Sequence, residues 1–160
     1  MRKIDRIVIH CSATRADQPL SAAGLDQMHR NRGFNECGYH YYIRRDGQIC
    51  TMRPMERMGA HAKGYNATSI GICYEGGLDA QGMAADTRTE WQKHSLRVLV
   101  RVLVEDFPIT EIVGHRDLSP DLDEDGIVEP EEWIKLCPCF DVADEVEEWL
   151  ENVDFEDFES

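Results

Sequence analysis

The sequence has no apolar run long enough to form a signal peptide or a membrane-spanning helix. Its first residues, MRKIDRIVIH, lead directly into a short apolar run that is typical of a strand. We therefore expect a protein that is cytoplasmic at synthesis and that reaches any other compartment by a separate route.

Internal repeats and low-complexity linkers are also absent from the sequence, which excludes repeat arrays and chains of linked modules. A chain of 160 residues, 42% of them hydrophobic, has the size of one ordinary domain and can bury a core. We predict one domain over residues 1–153, followed by an acidic, frayed tail at residues 154–160.

Basic residues are scarce in the last quarter of the chain. Residues 121–160 hold 17 of the 31 acidic side chains and one basic side chain, a net charge of −16. Residues 1–120 hold 16 basic and 14 acidic side chains, a net charge of +2. The body of the protein therefore need not repel an anionic polymer. We expect no nucleic-acid partner, because the sequence has no basic stripe and no RNA-binding motif.

The six cysteines do not predict a disulfide framework, because the chain is long and carries no secretion signal. Four of them, Cys11, Cys37, Cys50 and Cys73, are interpreted as small buried or strand residues. The other two stand close together in a Cys-Pro-Cys segment, where metal ligation is the better interpretation.

The hydrophobic pattern predicts alternating strands and helices. Strands are predicted at RIVIH, SIGICY and ITEIVGH, and a hairpin at YHYYIRR-DG-QICTM with a two-residue Asp46-Gly47 link. Three helices are predicted. The first begins at a Ser21 cap and runs to about Arg32, with Leu25, Met28 and His29 at helical spacing. The second follows a Thr87–Glu90 capping box, ends before Pro108 and turns Trp91, Val98, Leu99, Val102 and Leu103 inward. The last is capped by Asp141, with an inward stripe of Val142, Val146, Trp149, Leu150 and Val153. This order predicts an α/β domain, a central mixed β-sheet flanked by helices.

Two histidines stand at the ends of predicted strands, His10 after IVI and His115 after IVG. Side chains at strand ends converge if the strands are neighbours in the sheet. Two imidazoles and a thiolate from the Cys-Pro-Cys segment would form a three-ligand zinc site with a fourth position left for water. Taken singly, each histidine is better explained as a polar residue at the rim of the sheet than as a ligand.

Five motifs in order carry a resemblance to a known family: IVIHCSAT, GYHYYIRRDG, HAKGYNATSIGICYEGG, GHRDLSP and KLCPCFD. From about Ile4 to Trp149 the chain resembles the zinc-dependent type-2 N-acetylmuramoyl-L-alanine amidases, whose fold phage amidase endolysins share with peptidoglycan recognition proteins. The resemblance implies that residues 1–153 form an amidase domain acting on peptidoglycan as a monomer, after release or delivery to the cell wall. It also implies hydrolysis of the amide between N-acetylmuramic acid and L-alanine.

The resemblance also implies roles for individual residues. The zinc ligands would be His10, His115 and Cys137, although Cys139, two residues on, is an alternative to Cys137. Tyr39 and Lys135 match residues that assist catalysis by donating to the developing oxyanion or relaying a proton, and His61 matches a substrate-binding residue of the cleft.

The segment DLDEDGIVEPEE departs from the compact phage members of the family, which have only a few residues there. It fits the calcium-loop template. The predicted calcium ligands are Asp121, Asp123, Asp125, Ile127 (through its carbonyl), Glu129 and Glu132. No helix is predicted before Asp121, so an acidic surface insertion without an ion is the alternative.

Two other functions are compatible with parts of the sequence. A non-catalytic peptidoglycan-binding module would explain the motifs, but the thiolate ligand Cys137 argues against it. A calcium-responsive regulatory protein would explain the acidic loop, but it leaves both histidines and the tyrosine motif unexplained.

We predict that calcium raises the melting temperature, because a folded loop with five acidic ligand side chains repels itself unless a cation occupies it. Thermal melts with calcium, and with magnesium as the control ion, measure this shift. The double variant Asp121→Ala, Asp125→Ala should lose the calcium-specific increase. An unchanged increase in that variant would mean that the loop binds no calcium.

Overall fold

The computed structural model describes residues 1–119 and 136–151. Its seven strands are β1 (Arg6–Cys11), β2 (Thr14–Arg15), β3 (Tyr41–Ile43), β4 (Ile49–Thr51), β5 (Ser69–Tyr74), β6 (Gly77–Leu78) and β7 (Glu111–Gly114). Five of them form one sheet in the order β4-β3-β5-β1-β7, and β2 pairs with β6 in a small second sheet. Within the large sheet only the β3–β4 pair is antiparallel, so the predicted central mixed sheet is confirmed.

In the described part of the chain, three α-helices flank the sheet: α1 (Ala22–Asn31), α2 (Glu90–Asp106) and α3 (Val142–Leu150). Side chains alternate across the sheet, so that Ile7 and Ile9 pack with α2 and α3 while Tyr42 and Cys73 pack with Leu25 of α1. His10 lies on the α1 face, opposite Cys73 in the β1–β5 register. No helix in the described part of the chain has the length and apolar character needed to cross a membrane.

The caps of the helices agree with the sequence only in part. Ser21 caps α1 as predicted, by accepting a hydrogen bond from the Gly24 amide at 3.0 Å. The capping box of α2 lies two residues later than predicted, at Thr89 and Gln92. The predicted Thr87 cap is wrong because the Thr87 hydroxyl accepts a hydrogen bond from the Gly77 amide at 2.8 Å.

Asp141 occupies the N-cap position of α3 but makes no capping hydrogen bond. Its carboxylate instead pairs with the guanidinium of Arg116. Val142 and Trp149 are buried, and Val146 and Leu150 pack against the same cluster, as the stripe predicted. The predicted inward Val153 and the tail at residues 154–160 lie outside the described residues.

The inward face of α2 also differs from the prediction. Leu99 and Leu103 are buried, but Trp91, Val98 and Val102 are exposed. The buried positions include Gln92, whose amide donates to the carbonyls of Ile43 and Glu75 at 3.3 and 2.9 Å. These bonds to the ends of β3 and β5 fix the rotation of the helix, and an apolar pattern contains no signal for them.

The predicted hairpin joins β3 to β4, with Ile43 paired to Ile49. Its loop has three residues rather than two, because Arg44 donates to the Gln48 carbonyl at 2.9 Å and closes the ladder outside Arg45–Gly47. Gly47 has a φ of 90°, which is the left-handed conformation that a three-residue hairpin loop needs.

Arg88 connects α3 to the start of α2. Its guanidinium donates to Glu145 at 2.9 and 2.6 Å and to Asp86 at 2.9 Å, and it stacks 3.4 Å above the Phe140 ring. The Arg88 side chain is 2% exposed, so its charge depends on these two carboxylates. Phe140 follows the Cys137–Cys139 segment, and this network therefore fixes that segment as well as α3.

Removing this buried cation should destabilise the fold. We expect Arg88→Met to lower the free energy of unfolding by about 3 kcal/mol, at the low end for a buried pair because both carboxylates are partly exposed. Lys93→Met, the same change at an exposed pair with Glu90, should cost less than about 1 kcal/mol. Urea denaturation of both variants measures the difference, and equal losses would contradict the importance of the Arg88 network.

Candidate metal centre

The register of the sheet places His10 beside His115. β1 and β7 are parallel, with Ile9 opposite Gly114. The residues that follow, His10 and His115, are therefore neighbours on one face of the sheet. The two imidazole rings lie 4.6 Å apart between centroids. His10 is buried, and His115 begins a 3₁₀ turn, His115–Leu118, that carries the chain away from the strand end.

Cys137 reaches the same strand ends from the segment before α3. The Cys11 amide donates to its Sγ at 3.1 Å, and its carbonyl accepts from the Arg116 amide at 2.9 Å. The next residue, Pro138, accepts a 2.6 Å hydrogen bond from the buried Tyr74 hydroxyl through its carbonyl. A Cβ added at Gly114 would lie 2.8 Å from the Pro138 ring, so glycine is required for this close approach.

Within the described ranges, His10, His115 and Cys137 form one group whose ligand atoms all lie within 4.8 Å of one another. Two imidazole nitrogens and one thiolate suit zinc, which is bound by nitrogen and sulfur donors in a tetrahedral arrangement. Three protein donors on the wall of a cleft leave the fourth position to water or substrate, as in catalytic rather than structural zinc sites.

Cys139, the alternative ligand, points elsewhere. Its Sγ lies 3.5 Å from the Gly77 carbonyl of the second sheet, and its backbone has a positive φ of 69°. A hydrogen bond with Cys11 and burial raise the pKa of the Cys139 thiol far above its usual value. A hydrogen bond with Cys137 likewise raises the pKa of Cys11, to about 12. Cys11 and Cys139 therefore flank the donor group as neutral thiols.

Tyr39 and His61 surround His10. The Tyr39 ring lies 4.9 Å from the His10 ring, and burial raises the pKa of its phenol well above the usual value, so the hydroxyl keeps its proton. His61 Nδ1 lies 2.9 Å from His10 Nε2. Burial lowers the pKa of His61 to about 3, so its imidazole is neutral at physiological pH. Both side chains lie where the sequence motifs predicted a cleft.

The donor group opens into a cavity of about 450 Å³. Its lining includes residues that were not predicted from the sequence as site residues, among them His29, Arg32 and Phe34. Helical periodicity assigned His29 to the core stripe of α1, and it is buried there, with Nδ1 accepting from the Gly38 amide at 2.7 Å. A second cavity of about 350 Å³ shares His61, Ala62, Lys63 and His115 with the first, so the two cavities adjoin at these residues.

Two sets of predicted residues lie outside the described ranges. They are the catalytic candidate Lys135 and the calcium candidates Asp121, Asp123, Asp125, Ile127, Glu129 and Glu132. Their roles stay predictions from the sequence.

Residues 1–129 match the model of the N-acetylmuramoyl-L-alanine amidase family Amidase_2. The chain belongs to this family. It is 50% identical over 107 residues to a protein of Haemophilus influenzae, covering 67% of this chain and 89% of that one. It is 35% identical to the endolysin of Escherichia phage T7 over 138 residues, or 86% of this chain and 82% of the endolysin.

The fold agrees with this membership. The solved structure of N-acetylmuramoyl-L-alanine amidase LysC from Clostridium intestinale superposes with a TM-score of 0.71 at 28% identity, covering 93% of this chain and 86% of LysC. The family and the fold that the five motifs implied are therefore confirmed. The ligand assignment within this amidase fold stays a prediction that metal analysis can test.

We predict that Cys137→Ser loses zinc and that Cys139→Ser keeps it, because only the Cys137 sulfur lies with the two histidines. Elemental analysis after dialysis gives the zinc content of each purified variant, and circular dichroism checks that both fold. Full zinc in Cys137→Ser together with loss in Cys139→Ser would reverse the ligand assignment.

Proposed function

We propose that this chain is a zinc-dependent amidase that hydrolyses the bond between N-acetylmuramic acid and L-alanine in peptidoglycan. The observation that carries the proposal is the grouping of His10, His115 and Cys137 within 4.8 Å, with His115 and Cys137 in the lining of an open cleft. Membership in the amidase family supports the choice of bond. We further propose that the protein meets the wall after release or delivery.

The three donors would hold the ion from two sides. His10 and His115 come from the ends of neighbouring strands, and Cys137 comes from the segment anchored by Arg116 and Tyr74. When bound, zinc supplies a nucleophilic water near neutral pH and a Lewis acid for the scissile carbonyl. The Cys11 amide donates to the sulfur of Cys137, which moderates the negative charge that the thiolate contributes.

Tyr39 would donate a hydrogen bond to the oxyanion that develops during attack on the amide. Its ring lines the cavity beside His10, and its hydroxyl keeps its proton over the physiological range. One such donor typically stabilises a transition state by about 3 kcal/mol. We assign the second donor to Lys135 on its sequence motif alone.

The cleft also carries groups suited to a peptide with free carboxylates. Arg32 and Lys63 are exposed cations in its lining, and Phe34 adds an apolar surface between them and His29. Arg32 lies 5.5 Å over the Phe34 ring, which holds the guanidinium at the cleft. These contacts would orient the stem peptide while the donor group faces the amide.

Calcium binding at residues 121–132 remains a separate proposal, supported only by the fit of the sequence to the loop template. A calcium ion there would order the segment that leads to Lys135 and Cys137. Because Lys135 lies three residues after Glu132, a slack loop would misplace this catalytic donor.

A non-catalytic peptidoglycan-binding module is the second candidate, because the same fold supports both functions. The thiolate favours the enzyme, since a module that only binds its ligand has no need of a third metal donor. Release of product decides between the two.

We expect zinc-loaded protein to release peptides from purified peptidoglycan, seen as new N-terminal amines without new reducing sugar ends. The described residues that line the cavity at His115 and Cys137 include no paired carboxylates, which glycoside hydrolysis usually requires. Mass spectrometry of the products identifies the new ends as L-alanine. If the protein binds peptidoglycan but releases no amines from any wall type, the binding-module interpretation replaces the enzyme. New reducing ends would indicate a glycosidase.

The role of Tyr39 is tested by one variant, Tyr39→Phe, with Tyr41→Phe as its matched control. Tyr39→Phe should lower turnover by roughly 10²-fold while zinc content stays unchanged, as expected for a donor to the transition state. Tyr41 of β3 packs on the other face of the sheet, so removal of its hydroxyl in Tyr41→Phe should leave turnover unchanged. Equal turnover in both variants would remove Tyr39 from the mechanism.

A further inference from the structure

His61 lies in a slot between two glycines. A Cβ added at Gly71 of β5 would lie 2.6 Å from its ring, and a Cβ added at Gly59 would lie 2.5 Å from the same Cδ2 atom. Real Cβ atoms do not approach other atoms so closely, so the ring rests directly on the backbone at both positions. Its plane is therefore fixed by the chain rather than by a ligand.

Both ring nitrogens of His61 face polar atoms of the protein. Nδ1 lies 2.9 Å from His10 Nε2, and Nε2 lies 3.3 Å from the hydroxyl of the buried Ser69. The backbone beneath the ring is held as well, because Asn66 Oδ1 accepts hydrogen bonds from the amides of His61 and Ala62, both at 2.9 Å. The side chain thus bridges the candidate ligand His10 to the central strand.

We propose that His61 is a positioning residue for the metal ligand His10, and not primarily a substrate-binding residue as the sequence motif implied. This inference rests on the proposed zinc site. Metal-binding histidines almost always donate their second ring N–H to another group, which fixes the ring and raises its basicity. His10 would bind the ion through Nδ1, since its Nε2 is directed at His61.

The proton positions then follow. With the metal on Nδ1, His10 carries its proton on Nε2 and donates it to Nδ1 of His61. His61 in turn carries its proton on Nε2, facing the Ser69 hydroxyl, which accepts it. Each bond in the series from Ser69 to the metal ligand therefore has one donor and one acceptor.

The two roles of His61 predict different measurements. A positioning residue controls metal affinity before any substrate is present, whereas a substrate-binding residue changes KM at constant metal affinity. Zinc affinity of the intact protein, measured by competition with a chromophoric chelator, separates them without peptidoglycan. The failure of this inference is therefore distinguishable from failure of the proposed function.

A pair of variants at one position isolates the hydrogen bond. His61→Leu removes the acceptor but fills the slot, and His61→Asn keeps an acceptor oxygen at the position of Nδ1. We expect His61→Leu to weaken zinc binding about 10- to 100-fold and His61→Asn to recover most of that loss. His94→Leu, the same change at an exposed histidine of α2, controls for loss of an imidazole and should bind zinc as the unaltered protein does.

Circular dichroism and thermal melts establish that each variant folds, and His61→Ala replaces His61→Leu if the latter does not. Unchanged zinc affinity in the variant without an acceptor, with or without a raised KM, would overturn the proposal. Equal losses in the acceptor-free variant and in His61→Asn would also overturn it, because they would mean that the shape of the ring matters and the hydrogen bond does not.

Discussion

The parallel pairing of β1 with β7 is the constraint on which the candidate metal centre depends. With Ile9 opposite Gly114, the two strands end at the same level and deliver His10 and His115 side by side. The same alternation sends Ile7 and Ile9 into the core under α2 and α3, so core and site are opposite faces of one strand. A slip of one residue would turn His10 toward that core and the isoleucines toward the α1 face, which is why the hydrophobic core itself fixes the position of the ligand.

Buried polar groups fix the positions of the helices on the sheet. Gln92 fixes the rotation of α2 through the carbonyls of Ile43 and Glu75, and Arg88 joins α2 to α3 through Glu145. Since α3 follows directly on the Cys-Pro-Cys segment, its position determines where the Cys137 sulfur lies. Buried polar groups of this kind contribute little net stability when satisfied but are costly when unpaired. They therefore select one arrangement of the helices, and with it one geometry of the site.

Much of this arrangement could be predicted from the sequence. The β-branched runs predicted β1 and β5, Ser21 predicted the start of α1, and the strand-end histidines predicted where two metal donors would meet. The errors in α2 have one origin, because hydrophobic patterns do not register polar side chains that face inward. The buried Gln92 lies on the inward face of α2, which therefore differs from the predicted one. Thr87 accepts a hydrogen bond from the Gly77 amide instead of capping the helix. His29 is the opposite case. Its helical spacing predicted a core position, but the side chain also lines the cleft.

The described residues separate the acids of α3 from the candidate metal centre. Asp144 and Glu148 are exposed on a helix that packs against the face of the sheet opposite His10. Packed layers lie about 10 Å apart, and the Debye length at physiological ionic strength is about 8 Å. The charges of α3 are therefore largely screened at the cleft, where Arg32 and Lys63 are exposed and His61 is neutral. Two neutral imidazoles and one thiolate carry a single negative charge, so a bound dication would leave the centre positive. Among the described residues, the field at the cleft thus depends more on these few cleft residues than on the acids of α3.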